Sequence, residues 1–120
     1  MSILTAVVVQ DEHPVAERLI DICEDYGIIV LGSALSAEKG MDVIRRTQPD
    51  MVLIGYQFQG AMMDGLDVAK LIHAEAPDTR VVFVTEFTDP ETLERIRKED
   101  HPYRIVTRPF NKEDIEEALR

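Results

Sequence analysis

One cysteine, no tryptophan and 6% aromatic residues leave several functions without material in this 120-residue chain. A lone Cys23 permits no internal disulfide and no cysteine metal cluster. Basic residues are scarce: 13 Lys and Arg face 23 Asp and Glu, a formal net charge of −10. That argues against direct nucleic-acid binding, which needs clustered cations for the phosphates. Arg45-Arg46 and Arg95/Arg97/Lys98 are small basic islands that read as solvated helix faces. No apolar run approaches the roughly 20 residues needed to cross a bilayer. Met1-Ser2-Ile3-Leu4 lacks the basic stretch and cleavage signal of a secretion peptide, so the expected location is cytoplasmic. His13, His73 and His101 form no pair at metal-ligand spacing, and no Gly-rich phosphate loop or Ser-His-Asp set can be assembled. No catalytic residue is assigned, and an enzyme is not expected.

What the chain has is a regular series of short apolar runs: Thr5–Val9, Ile28–Leu31, Met51–Ile54, Val81–Val84 and Ile105-Val106. Most are continuous and β-branched rather than alternating, the pattern of strands covered on both faces. Helical spacing lies between them. Pro14 suits a first turn, with Val15, Leu19, Ile22, Cys23 and Tyr26 inward and Gly27 as a stop. Ser36 caps a second helix with Met41 and Ile44 inward, and Asp64 a third with Val68, Leu71 and Ile72 inward. Thr88-Asp89-Pro90-Glu91 reads as a capping box opening a fourth, whose inner stripe is Leu93 and Ile96. Asn111 caps the last, with Ile115 and Leu119 inward.

Strand then helix, five times over, predicts a single domain over residues 1–120: a five-stranded parallel sheet, doubly wound, with helices on both faces. The last helix is only about ten residues long at Arg120, which leaves open an output or kinase domain beyond it. Chemistry in such sheets gathers at the carboxyl ends of the strands. Here those ends are Gln10-Asp11-Glu12, Gly55-Tyr56, Thr85-Glu86 and Thr107-Arg108.

Those four ends resemble the receiver domain of two-component response regulators, the CheY-like, flavodoxin-like three-layer sandwich. The resemblance covers essentially the whole chain. It rests on the order of elements together with Asp64-Gly65-Leu66, Thr85 and Arg108-Pro109-Phe110. It implies five working groups: two acids holding Mg²⁺, an aspartate that receives phosphoryl, a Ser or Thr, and a lysine before a cis proline. Phosphoryl transfer needs them near one point, because it is mostly positioning and charge neutralisation.

The chain departs from that set. Gln10 falls where the first acid is implied, and Gly55 where the nucleophile is. Arg108 replaces the lysine, keeping the charge but losing the compact ammonium group. Asp11 and Thr85 match, with Glu12 beside Asp11. Ile105 stands where the resemblance implies a switch Tyr or Phe. No nearby acid substitutes for the nucleophile: Asp50 begins the strand and Asp64 lies past the loop. The expectation is a degenerate receiver, a pseudo-receiver that works as a phosphorylation-independent interaction module. The alternatives are phosphorylation by an unusual route and a small-ligand sensor using the vacated pocket.

Other readings stay open at this level. Asp11 is a weak candidate for Mg²⁺, or else caps a turn or pairs with Arg108. Arg108 can pair with Asp11 or Glu86. Phe58, Met62 and Met63 form either an adaptable partner-binding loop or a cover over the emptied pocket. The fourth helix, with Glu91–Arg95 and Glu94–Lys98 at i,i+4, is a solvated surface or a docking face. In receivers, dimers and output partners dock on the face of the fourth helix, fifth strand and fifth helix. Glu94, Lys98 and Tyr103 are the candidates there. The implied partners are a histidine kinase, an output domain or a second copy.

Overall fold

The computed structural model describes residues 3–58, 60–86, 90–99 and 103–120. Strands β1 (Thr5–Val9), β2 (Ile29–Ala34), β3 (Met51–Ile54), β4 (Arg80–Thr85) and β5 (Arg104–Thr107) alternate with five helices. These are α1 (His13–Asp25), α2 (Ala37–Thr47), α3 (Gly65–Glu75), α4 (Pro90–Arg97) and α5 (Lys112–Leu119). All strand pairs are parallel, in the order β2-β1-β3-β4-β5. Period-two alternation sorts each central strand between two layers. Val7, Val9, Val52, Ile54 and Phe83 meet α2, α3 and α4 on one face. Ala6, Val8, Leu53, Val82 and Val84 meet α1 and α5 on the other. This is the doubly wound three-layer sandwich expected from the sequence. Each fully buried Val, Leu, Ile or Phe contributes about 1.5–3 kcal/mol, so the middle of the sheet is its firmest part.

The helix signals hold where the chain is described. The Ser36 hydroxyl accepts from the Lys39 amide at 3.3 Å. Asp64 and Asp67 close a reciprocal capping box on α3, and Asn111 and Asp114 close another on α5. Gly27 takes φ +76° just past α1, a conformation that favours glycine. The expected Thr88-Asp89 cap lies outside the described residues.

Two expectations need correction. The second apolar run does not make a strand covered on both faces. β2 starts one residue later and runs to Ala34, and Ile29 and Leu31 stay 48% and 39% exposed because β2 is the sheet edge. On α4, the charged pairs Glu91–Arg95 and Glu94–Lys98 form no ion pair among the described residues. The bridge there is Lys70–Glu99, at 3.6 Å, which ties α3 to the end of α4.

Candidate functional site

The sheet order brings the ends of β1, β3 and β4 side by side, with β3 in the middle. Backbone bonds set their level: Gly55 N–H donates to Val9 O at 3.0 Å, and Gln10 N–H to Ala34 O at 3.0 Å. Arg108 N–H donates to Thr85 O at 2.8 Å. Gln10, Asp11, Glu12, Gly55, Thr85 and Arg108 therefore line one cleft of about 390 Å³, as the sequence predicts.

Gly55 is buried and presents no side chain. A Cβ built on it would lie 3.2 Å from Gln10 Oε1 and 3.8 Å from Val84 O. Gln10 is only 4% exposed. Its Nε2 donates to Val84 O at 3.3 Å, across the end of β3. The amide thus occupies the space next to Gly55. Thr85 is also buried, at the end of β4.

Arg108 forks between two carboxylates. Nη1 donates to Glu12 Oε2 and Nη2 to Glu86 Oε1, each at 2.5 Å. The side chain is about one-quarter exposed, and its buried Nε has no hydrogen-bond partner among the described residues. This corrects one sequence-level alternative: the second acid is Glu12, not Asp11. Asp11 is exposed and neither pairs with Arg108 nor caps α1, whose N-cap position is Glu12 without a side-chain bond. The Arg108–Pro109 peptide is cis. Phe110 packs on the α1–α5 layer with the Arg18 guanidinium 5.4 Å from its ring centroid.

The donor set does not fit Mg²⁺. Gly55 offers no carboxylate, Gln10 is neutral and turned to Val84, and Glu12 is bound by Arg108. Asp11 remains as one carboxylate, and no cluster of three or more metal-ligating side chains occurs among the described residues. Mg²⁺ sites use one or two carboxylates plus substrate oxygens and waters. No step through the ion follows from this cleft.

The other candidates separate. Phe58 is 8% exposed and sits in the α2–α3–α4 layer, so it is neither a partner contact nor a cover for the cleft. Met63 is half-buried against the same layer, while Met62 is 97% exposed. Neither lines the strand-end cleft. Phe58, Met62 and Met63 therefore do not cover the cleft. Glu94 is exposed on α4, and Lys98 is exposed just past its end. Ile105 is half-buried against the α2–α3–α4 layer. Tyr103 lies two residues earlier on the same side of β5 and meets Phe83 edge-on, centroids 5.5 Å apart. Its ring is half-buried and only partly presented to a partner.

Tyr56 was named in the sequence only as a strand-end residue, with no role assigned. It follows Gly55, is 5% exposed, and its hydroxyl is buried near the Asp64 carboxylate. Burial, and then the nearby Asp64 carboxylate, push its pKa above the ordinary phenol value. An aromatic directly after a strand end was the available signal.

Comparison with known proteins shows the family and the fold. The family model described as "Response regulator receiver domain" matches residues 6–120. An uncharacterized response regulatory protein of Yersinia pestis is 26% identical over 117 residues, covering 97% of this chain and 47% of that protein. A protein-glutamate methylesterase/protein-glutamine glutaminase of Halobacterium salinarum is 31% identical over 96 residues, 78% of this chain and 27% of that protein. The chain thus spans about half or less of the length of these curated relatives. The crystal structure of the signal receiver domain of a modulated diguanylate cyclase from Desulfovibrio desulfuricans G20 superposes with a TM-score of 0.86 at 23% identity. That match covers 98% of this chain and 91% of the other.

Proposed function

The chain belongs to the response regulator receiver family of two-component signalling, and from that premise we propose that it is a receiver without a phosphoacceptor. It acts as a phosphorylation-independent protein-interaction module in the cytoplasm, not as an enzyme. The observation that carries this reading is the end of β3. An acyl phosphate needs a carboxylate there, and the position is glycine with the Gln10 amide beside it at 3.2 Å. Apart from Asp11, the surrounding acids are occupied or distant. Glu12 and Glu86 are held by Arg108. Asp64 caps α3, and Asp50, at the opposite end of β3, accepts from Thr5.

Without a phosphoryl group, only a partner that prefers one conformation can shift the population of states. The partner is a histidine kinase, an output domain or a second copy, docking on the α4-β5-α5 face near Glu94, Lys98 and Tyr103. Met62 offers a separate exposed contact. The Arg108 fork supports the same reading, because it balances the cationic position with internal carboxylates instead of an incoming phosphoryl group.

Intact-mass spectrometry after incubation with acetyl phosphate and Mg²⁺ tests the proposal. The expected result is an unchanged mass. A single added phosphoryl group would overturn it. If that group mapped to Asp11, the carboxylate in the cleft without a partner among the described residues, the unusual-route alternative would replace it.

A further inference from the structure

Gln10 and Gly55 are far apart in sequence, yet each explains the other. In the parallel register Val9 lies beside Ile54 and Ile54 beside Phe83. One step further on, Gln10, Gly55 and Val84 stand at the same level of β1, β3 and β4. Strands are about 4.8 Å apart, so a bond from β1 to β4 must span roughly two such spacings over the middle strand. Gln10 does so, reaching Val84 O at 3.3 Å. An asparagine would be shorter by one carbon–carbon bond of about 1.5 Å, which that span does not tolerate. The middle strand must also leave room. A Cβ on Gly55 would meet Gln10 Oε1 at 3.2 Å and Cδ at 3.7 Å, in the amide's path.

The amide is buried, so its donor needs a partner. Among the described residues, Gln10 and Thr85 are the buried polar side chains, and both sit at this corner of the sheet.

We infer that Gln10 and Gly55 form one unit, an amide latch that ties the end of β1 to the end of β4 across β3. The latch fixes the strand end that carries Thr85 and Glu86, and so sets where Arg108 finds its second carboxylate. Gln10 is a positioning residue, acting through Val84. The inference rests on the reading above, in which no phosphoryl group occupies this corner. It adds that a fixed side-chain bond holds the corner in one state.

A double-mutant cycle tests the latch: wild type, Gln10→Ala, Gly55→Ala and the double variant, each followed by thermal melting. With the latch in place, the added methyl crowds the amide held at Val84, and Gly55→Ala is expected to lower the melting temperature by about 4 °C. In the Gln10→Ala background the same substitution shifts it by less than about 1 °C, or raises it. A loss of equal size in both backgrounds, or no loss in wild type, overturns the inference. Should Gly55→Ala fail to fold, folding of the double variant supports the latch, and failure of both refutes it. Gln10→Asn serves as the check on reach: it should behave as Gln10→Ala does, and retained coupling to Gly55 would also overturn the inference. The cycle reads geometry alone. An added phosphoryl mass in the acetyl phosphate assay would remove the functional reading without changing the cycle, and an additive cycle would remove the latch without changing the mass result.

Discussion

Gly65→Ala should disturb the candidate site more than most core substitutions. Gly65 opens α3, and its N–H donates to Tyr56 O at 2.6 Å, so the helix start lies against the end of β3. A Cβ there would stand 2.1 Å from Gly55 O, 3.0 Å from Tyr56 Cα and 3.1 Å from Gly55 C. Ordinary contact begins at 3.4 Å, so the helix and the strand end would have to part by about 1.3 Å (3.4 less 2.1). The obstacle is backbone on both sides, and no side chain can rotate away. Overpacking of this kind costs about 1–3 kcal/mol, and more when backbone must move. Alanine's better helix propensity returns at most about 1 kcal/mol. A net loss of about 2 kcal/mol corresponds to a fall of about 8 °C in melting temperature for a domain of this size. Calorimetry measures the fall, and amide shifts at Gly55 and Tyr56 report where the strain goes. A variant that melts within about 2 °C of wild type, with those amides unmoved, would refute the close approach of α3 to β3.

Two further outcomes follow from titrating groups. Burial, with a smaller push from Glu24, raises the Cys23 thiol to about 11. Roughly one thiol in a thousand is then ionised at pH 8. Ellman's reagent should leave the native protein unlabelled over minutes and label it fully in denaturant; rapid native labelling would contradict the packing of α1. The bidentate Arg45–Glu75 bridge joins α2 to α3 at 3.0 and 2.8 Å. The bond from Arg45 lowers the Glu75 pKa below its ordinary 4.5. A depressed carboxylate stabilises the fold above its unfolded value, and that contribution is lost as pH falls through the folded value. The difference in melting temperature between wild type and Glu75→Gln should therefore be present at pH 7 and shrink as pH drops below 4.5. A gap that widened in acid would refute the assignment.

The strands and helices were readable because their signals are local. Val7, Val8 and Val9 announce a covered strand, and Asp64 and Asn111 announce helix starts. Gln10, Gly55 and Arg108 were also visible one at a time, as residues at strand ends. The Arg108–Glu86 pair was among the readings, but the bond from Gln10 to Val84 and the choice of Glu12 were not. That Gln10 reaches Val84 depends on β1 and β4 flanking β3, an order no local pattern encodes. Arg108 pairs with Glu12, the N-cap position of α1, and not with Asp11. Phe58 reads as loop by its neighbours, yet its ring is buried in the α2–α3–α4 layer. The aromatic at the sheet's edge was sought at Ile105, while the side chain that meets Phe83 is Tyr103, displaced by one period of the strand.

The Arg108 fork has a consequence for time. A phosphorylated aspartate carries its own lifetime, and its hydrolysis ends the signal. An arginine held between Glu12 and Glu86 has no such clock, since nothing in it is consumed. On the reading proposed above, the duration of a signal through this domain equals the residence time of its partner, and affinity differences between related complexes lie mostly in dissociation. A slowly leaving partner would then give this domain its memory.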